Sequence, residues 1–249
     1  MSEVLLYTDK LCKSYAGLRA NHNLDLQLIK GEIHALIGPN GAGKSTAVAQ
    51  ISGEMAADSG RIIFEGHDIT HVPVYDRARA GVSRSFQVTS VFDEMTVRDN
   101  LALAVQAHQG HSYRFWAPVN RDSYLNQQAA HLAMQFGLDQ HHDNLAGALA
   151  HGEKRQLEVA MTLAGDPSLL LLDEPMAGIG PGGSKKLTEL LDELRGRYTV
   201  LLVEHDMDAV FALADRVSVL VYGEIIATGS VDDIRGDEGV QRAYLGETC

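Results

Sequence analysis

The chain has 249 residues, of which 45% are hydrophobic, so it can form one large domain or two small lobes around a core. Acidic residues outnumber basic residues by 33 to 21, which gives a formal net charge of −12. Since nucleic-acid binding depends on lysine and arginine neutralising phosphates, this balance argues against a nucleic-acid partner. Two cysteines without a metal or disulfide spacing, no signal-peptide pattern and no long apolar run indicate a soluble or peripheral protein in a reducing compartment.

The first part of the chain is predicted to be rich in strands. Leu24, Leu26 and Leu28 alternate with polar residues, as in a half-buried strand. The stretch EIHALIG (32–38) is a more continuous apolar run, and GRIIFEGHDIT (60–70) is predicted to be a further strand that leads into a turn.

The middle of the chain, from about residue 96 to 164, has a mostly helical pattern. Three helices are predicted in TVRDNLALAVQAH (96–108), DSYLNQQAAHLAMQFGL (122–138) and EKRQLEVAMTLAG (153–165). The first two are separated by QGHSYRFWAPVN (109–120), which contains the only tryptophan and is predicted to be a loop.

The last part alternates between strands and helices. These segments are LLLLDEP (169–175), GGSKKLTELLDELRG (182–196), YTVLLVEH (198–205), DMDAVFALAD (206–215) and a predicted hairpin in RVSVLVYGEIIATG (216–229). Alternation at both ends of the chain predicts a mainly parallel sheet covered by helices, into which the helical middle is inserted as a lobe.

A phosphate-binding pattern, G-x-x-x-x-G-K-[ST], is present in GPNGAGKST (38–46) between a predicted strand and a predicted helix. Glycines at this spacing let consecutive backbone amides turn toward phosphate oxygens, and the helix adds its positive N-terminus. Lys44 can reach the terminal phosphates and Ser45 can bind Mg²⁺. The candidate phosphate ligands are Gly38, Pro39, Asn40, Gly41, Ala42, Gly43, Lys44, Ser45 and Thr46.

Two acids follow the buried strand of LLLLDEP. Ligands of open parallel sheets bind at the carboxyl ends of the strands, where Asp173 and Glu174 emerge. Asp173 can hold Mg²⁺ through water, and Glu174 can polarise a water molecule for attack on the terminal phosphorus. A strand that ends in two acids is by itself more often a solvated turn, but the phosphate-binding pattern favours the functional interpretation.

Three single residues have both an ordinary and a functional interpretation. Gln87 falls between the strand-rich part and the helical middle, where a loop glutamine is usually solvated. His205 follows another buried strand, at the edge where ligands bind, although a lone histidine there is more often a capping residue. Tyr15 could stack on an adenine or be an ordinary surface tyrosine.

These features, together with LAHGE (149–153), resemble the ATP-binding subunit of an ABC transporter over nearly the whole chain. The resemblance implies that Tyr15 stacks on adenine, that Gln87 senses Mg²⁺ and the membrane partner, and that His205 contacts the γ-phosphate. It assigns catalysis to Lys44, Glu174 and His205, Mg²⁺ to Ser45, Gln87 and Asp173, and the signature to Leu149, Ala150, His151, Gly152 and Glu153.

The resemblance also implies an architecture and partners. The expected fold is α/β, a P-loop NTPase core with a parallel sheet flanked by helices, an N-terminal antiparallel β part and an inserted helical subdomain. The expected division is 1–86 and 166–249 for the core and 87–165 for the helical subdomain. In a head-to-tail dimer, each ATP would lie between one subunit's phosphate loop and the other's signature. Membrane subunits, a solute-binding protein and a cytoplasmic position on the inner face of the membrane complete the expectation.

Within that family the chain is similar to the branched-chain amino-acid uptake group. The similar stretches are KSYAGLRANHNLDL (13–26), SRSFQVTSVFDEMTVRDNLALA (83–104) and RAYLGE (242–247), and the loop before residue 122 resembles that of the longer of the group's two ATPases. A urea or amide importer is the nearest alternative. A soluble ABC ATPase is disfavoured by the single phosphate loop and the lack of heptads, and a binding-only regulator by the presence of Glu174 and His205.

The chain departs from the family pattern at two positions. The usual signature is LSGGQ, so Ala150 lacks a hydroxyl that would meet the γ-phosphate across the dimer, whereas the amides of His151 and Gly152 remain as donors. Gly180 stands where the family usually has an aspartate that links the two sites. A histidine cluster, His141 and His142 with His151, lacks a recognised zinc spacing, so we expect the adjacent pair to lie in a solvated polar loop.

Overall fold

The computed structural model describes residues 3–85, 91–108 and 122–245. The N-terminal third contains, in chain order, β1 (Val4–Tyr15), β2 (Leu18–Leu24), β3 (Gln27–Ile29), β4 (Ile33–Ile37), α1 (Lys44–Ser52), β5 (Ser59–Phe64), β6 (His67–Asp68), α2 (Val74–Arg79) and β7 (Val82–Arg84). The middle contains α3 (Val97–His108), α4 (Ser123–Gln135) and α5 (His151–Thr162), with short 3-10 helices at Asp139–His141 and Ala146–Ala148. The last third contains β8 (Leu169–Asp173), α6 (Pro181–Asp192), β9 (Thr199–Val203), α7 (Met207–Leu213), β10 (Arg216–Val221), β11 (Glu224–Gly229), α8 (Val231–Gly236) and α9 (Glu238–Leu245).

A central sheet runs in the order β11-β10-β4-β9-β8-β7. The neighbours from β10 to β7 are parallel, and β11 pairs antiparallel with β10 as the predicted hairpin. The strands β4, β8 and β9 are buried along their whole length, as expected for parallel strands covered on both faces. Their carboxyl ends meet at one edge, which we call the carboxyl edge.

A smaller antiparallel sheet is formed by β2-β1-β5-β6, with β3 also paired to β1. The prediction of one strand through Leu24, Leu26 and Leu28 is wrong, because the side chain of Thr8 interrupts the ladder. Its hydroxyl donates to the Leu24 carbonyl at 2.7 Å and accepts from the Leu26 amide at 2.8 Å. The segment 60–70 contains the predicted strand, β5, and the turn after it, and β6 adds a second strand that makes this segment a hairpin.

The helical middle packs onto the central sheet through one apolar cluster. This cluster joins Leu101 of α3, Leu125 of α4 and Leu157 of α5 to Leu170 and Leu172 of β8. All three predicted helices are present, although α5 begins two residues before the predicted start. The predicted loop 109–120 lies outside the described residues, and the subdomain boundaries remain a prediction.

Short helices α2, α8 and α9 have no counterpart in the prediction. Helix α2 is held by buried Arg77, whose guanidinium donates to four carbonyl oxygens, two of them at the end of α1. In the described ranges, no helix combines the length and apolar character that crossing a membrane requires.

Candidate nucleotide-binding and catalytic site

The phosphate loop connects the end of β4 to α1 at the carboxyl edge. Gly43 precedes α1 with φ 107°, and a Cβ there would overlap the Ala20 carbonyl oxygen. Gly38 has φ 155°, and a Cβ there would overlap the Leu220 carbonyl oxygen. These positions accept only glycine, because both the backbone angles and the neighbouring chain exclude a side chain. No side chain of the described residues caps the first turn of α1, so its amides can receive an anion.

The side chain of Lys44 lies inside this loop. Its Nζ donates to the Gly38 carbonyl at 2.6 Å and to the Pro39 carbonyl at 3.0 Å. Burial lowers the pKa of Lys44, while the charges of Glu174 and Asp173 raise it. The fold therefore brings the phosphate loop and the acidic end of β8 together, as the sequence predicts.

Asp173 ends β8 and is completely buried. Its Oδ2 accepts from Arg84 Nη2 at 3.2 Å, and its Oδ1 has no hydrogen-bond partner among the described residues. Burial raises the pKa of this carboxyl above its ordinary value, with the charge of Arg84 and the nearby Ser45 hydroxyl opposing the rise and the charge of Glu174 adding to it. A buried carboxylate with an open oxygen beside a serine hydroxyl fits a magnesium ion, which prefers oxygen ligands.

Glu174 follows Asp173 in the left-handed region, with φ 49°. Its amide donates to the Val203 carbonyl at 2.8 Å, which holds the loop against the end of β9. The Glu174 Oε1 lies 3.9 Å from Nδ1 of His205, whose side chain is 63% exposed. The two predicted catalytic side chains are thus neighbours, and a ligand could reach both.

Glu204 is a positioning residue that the sequence reasoning missed. Its buried carboxylate accepts from the Met176 amide at 2.7 Å and from the His205 amide at 3.0 Å. It therefore connects the loop after Glu174 to the loop that carries His205. The one signal in the sequence was an acid at the end of an apolar strand run, directly before His205.

The signature stretch forms the start of α5. Ala150 is the N-cap, and its amide donates to Glu153 Oε2 at 2.9 Å. The imidazole of His151 reaches back toward residues 174–180, which join β8 to α6 and which we call the catalytic loop because they include Glu174. A Cβ on Gly178 of this loop would lie 3.0 Å from the His151 Nε2. From the sequence, His151 is expected to act chiefly through its backbone amide. Its side chain also lines a cavity of about 410 Å³ with Arg155, Glu158, Asp173, Glu174, Ala177 and Gly178.

The prediction that His141 and His142 lie in a solvated polar loop is only partly right. His141 is not simply solvated, because its Nε2 lies 3.2 Å from Glu153 Oε1 and the residue ends a short 3-10 helix. His142 is 26% exposed and lies near Asp143. Among the described residues, no three histidine, cysteine, aspartate or glutamate side chains lie close enough together to hold a metal ion.

The remaining predicted positions are placed as follows. Tyr15 ends β1, is 42% exposed and donates its hydroxyl to the Met55 sulfur at 2.6 Å. Gln87 lies outside the described residues. Gly180 is the N-cap of α6, with φ −71° and open space where a Cβ would stand. The roles given to these residues remain predictions.

The fold and the site define a phosphate-loop nucleotide-binding protein. A family model described as ABC transporter matches residues 21–177, and one described as Branched-chain amino acid ATP-binding cassette transporter matches residues 224–248. With these matches, and with relatives above 30% identity over nearly the whole chain, the chain belongs to the ABC transporter ATP-binding family. The predicted family and fold are confirmed.

Two curated relatives and one solved structure show how far the similarity extends. The high-affinity branched-chain amino acid transport ATP-binding protein LivG of Escherichia coli K12 is 39% identical, covering 99% of this chain and 100% of the relative. The lipopolysaccharide export system ATP-binding protein LptB of Haemophilus influenzae is 34% identical, covering 98% of both. An ATP-binding cassette of an ABC transporter in its ADP conformation has a TM-score of 0.87 at 29% identity, covering 98% and 100%. These relatives agree with the predicted function, an ATPase subunit of an ABC transporter.

Proposed function

We propose that the chain is the Mg²⁺-dependent ATPase subunit of an importer for branched-chain amino acids. The observation that carries the ATPase assignment is the meeting of the phosphate loop, buried Asp173, and the Glu174–His205 pair at one sheet edge. The choice of solute is supported by the match of residues 224–248 to the branched-chain transporter model and by the similarity to LivG.

Each residue at this edge has a distinct task in the proposed reaction. The phosphate loop (38–46), with its backbone amides and the side chain of Lys44, would bind the phosphates, and His205 would contact the γ-phosphate. Ser45, Asp173 and Gln87 would hold Mg²⁺, which would supply positive charge against the phosphate oxygens. Glu174 accepts hydrogen bonding from the attacking water and orients it toward the terminal phosphorus. Tyr15 stacks on the adenine.

The proposed protein acts as part of an assembly. The signature stretch 149–153 presents the N-terminus of α5 to an ATP held by a second ATPase subunit, of the same or a different kind. Membrane subunits dock near Gln87 and the helical middle, which places the protein on the inner face of the membrane. A separate solute-binding protein delivers the solute to those membrane subunits.

The ATPase assignment is tested with the Glu174→Gln variant. We expect turnover to fall by about 10²–10⁴-fold, because the variant cannot accept a proton, while ATP-dependent dimers persist. Phosphate release and gel filtration with ATP measure the two quantities. Glu193→Gln, an exposed acid after α6, is the matched control and should hydrolyse ATP normally. Normal turnover in Glu174→Gln would refute the assigned role.

The solute is tested by reconstitution in vesicles with the membrane subunits that co-purify with this chain and the solute-binding protein that binds to them. Radiolabelled leucine uptake that depends on ATP, and that Glu174→Gln abolishes, is the expected result. Uptake of urea or a short amide, with none of leucine, would replace the branched-chain assignment. ATP hydrolysis coupled to no neighbouring membrane subunit would favour the soluble alternative.

A further inference from the structure

Arg155 is buried beneath the catalytic loop, and the contacts described for it converge on the end of β8. Its Nε donates to the Pro175 carbonyl at 3.0 Å. Its Nη2 lies 3.3 Å from the Asp173 carbonyl oxygen and 3.2 Å from that of Glu174. One side chain of α5 therefore holds three consecutive carbonyls around the proposed general base.

The backbone held in this way is strained. Glu174 has φ 49°, a conformation that costs free energy for a residue with a side chain and persists only where neighbours enforce it. Its amide is fixed by the Val203 carbonyl and its own carbonyl by Arg155. The position of the Glu174 side chain depends on this backbone, so it depends on the guanidinium.

The guanidinium itself has little freedom. Its Nη1 donates to Glu158 Oε2 at 2.6 Å, one turn further along α5, and both side chains are more than nine-tenths buried. The planar donor group thus has its charge balanced and its plane fixed. Lysine could supply the charge and three donors, but all from one nitrogen, so it could not reach the carbonyls of residues 173–175 and the Glu158 carboxylate together.

We propose that Arg155 is a positioning residue that holds Glu174 in its catalytic geometry and joins the signature helix to it. This inference rests on the proposed role of Glu174 as the residue that orients the attacking water. Arg155 acts through the backbone at residues 173–175 and does not itself contact the nucleotide.

The position of Arg155 on α5 gives this contact a second consequence. Arg155 is the fifth residue of a helix whose first turn contains the signature, and His151 in that turn packs beside Gly178 of the same loop. A nucleotide that engages the signature from a second subunit would thus act on Glu174 of this subunit. This route does not need a side chain at Gly180, where the family aspartate is replaced.

The experiment compares Arg155→Gln and Arg155→Lys with Lys154→Gln, a matched cation on the same turn that pairs with Asp93 on the surface. We expect kcat to fall about 100-fold in Arg155→Gln, as for a misplaced catalytic group. Arg155→Lys should fall between it and the wild type. The Kd for ATP and ATP-dependent dimerisation should stay within about twofold in both, because only the transition state is affected. Lys154→Gln should turn over normally.

A double-mutant cycle separates positioning from a general structural role. In the Glu174→Gln background, Arg155→Gln should change the residual single-turnover rate by less than about twofold, because both substitutions disable one element. An equal loss in both backgrounds, a wild-type kcat in Arg155→Lys and Arg155→Gln, or a parallel loss of ATP binding would overturn the proposal. If Arg155→Gln does not fold, Arg155→Lys decides. Normal turnover in Glu174→Gln alone would instead refute the proposed function.

Discussion

The two edges of the central sheet use charged residues in opposite ways. At the carboxyl edge, Asp173 keeps an oxygen without a partner among the described residues, and His205 is largely exposed. At the opposite edge, which we call the amino edge, acids and bases are joined to one another. The Glu32 carboxylate accepts from His34 at 3.0 Å and from Arg216 at 3.3 Å.

Asp215 extends this pairing at the amino edge. It accepts from the Ile33 amide at 2.8 Å and forms a close ion pair with Arg195. Hydrogen-bonded and paired charges stabilise a fold, whereas an unpaired buried oxygen costs stability unless a ligand satisfies it. The difference indicates that the carboxyl edge is organised for a ligand and the amino edge for stability. Substitutions at the two edges should therefore affect different measurements.

Among substitutions at the carboxyl edge, Gly43→Ala has the largest expected effect on ATP binding. The added Cβ overlaps the Ala20 carbonyl and meets Asn21 Nδ2, so the loop must shift and its amides lose their arrangement. The strain is about 1–3 kcal/mol, which corresponds to ATP affinity weakened roughly 5- to 150-fold. Titration calorimetry with ATP and Mg²⁺ measures the change.

Gly66→Ala is the matched control for this substitution. Gly66 also has positive φ, at 77°, but a Cβ there meets no heavy atom within 4 Å and the turn lies between β5 and β6. It should lose about 1 kcal/mol of stability and bind ATP normally. Equal ATP affinities for Gly43→Ala and the wild type would show that the loop does not depend on this glycine.

At the amino edge, the expected effect of Glu32→Gln is on stability. Burial raises the pKa of Glu32, but hydrogen bonds from His34 and the Ile29 amide, with the charges of His34 and Arg216, hold it below its ordinary value of 4.5. A depressed folded-state pKa contributes stability above the unfolded value that is lost as pH falls through the folded value. The wild type should exceed Glu32→Gln by about 1–2 kcal/mol near neutral pH. The difference should shrink below pH 4.5.

Urea unfolding across a pH series measures this difference, with turnover at neutral pH as the second readout. Glu94→Gln, an exposed acid before α3, should show no comparable difference at any pH. Because Glu32 lies at the edge away from the nucleotide site, Glu32→Gln should hydrolyse ATP at the normal rate. A stability difference that grows on acidification would contradict the pairing described for Glu32.

Features that depend on residues close together in the chain could be predicted from the sequence, whereas features that depend on distant side chains could not. Glycine spacing and strand–helix order are local, and they predict the phosphate loop and the buried β8 correctly. The break between β2 and β3 could not be predicted, since it depends on the Thr8 hydroxyl of a distant strand. Short α2 has no apolar period and depends on Arg77.

The same distinction applies within the site. The sequence predicted Lys44 from the glycine spacing of the phosphate loop. It predicted Asp173, Glu174 and His205 because they stand at or just after the ends of buried strands, where ligands of parallel sheets bind. It did not indicate Arg155, and Glu204 had only its place at a strand end as a signal, because each acts on a carbonyl or amide 20 or 28 residues away in the chain. Side chains that position a strained loop are determined by packing, and a single sequence contains no periodic signal for them.

The smallest expected effect is that of Ala150→Ser. This substitution tests whether α5 at the carboxyl edge can be made more stable without loss of turnover. Ala150 is the N-cap of α5. Its amide already donates a hydrogen bond to Glu153 Oε2 at 2.9 Å, which is one half of a capping box. Serine would add the other half by accepting from the Glu153 amide. Stability should rise by about 0.5–1 kcal/mol.

Turnover in Ala150→Ser should be unchanged or higher, since the hydroxyl also offers a donor to a nucleotide on the second subunit. Thermal unfolding and phosphate release measure the two effects. The control is Ala150→Cys, because cysteine is similar in size to serine but is a weak hydrogen-bond acceptor. It should raise neither stability nor turnover. A collapse of turnover would show that alanine is required at this N-cap. A rise in stability without loss of turnover would instead show that the site works equally well with a more stable start of α5, so that alanine at position 150 is not needed for activity.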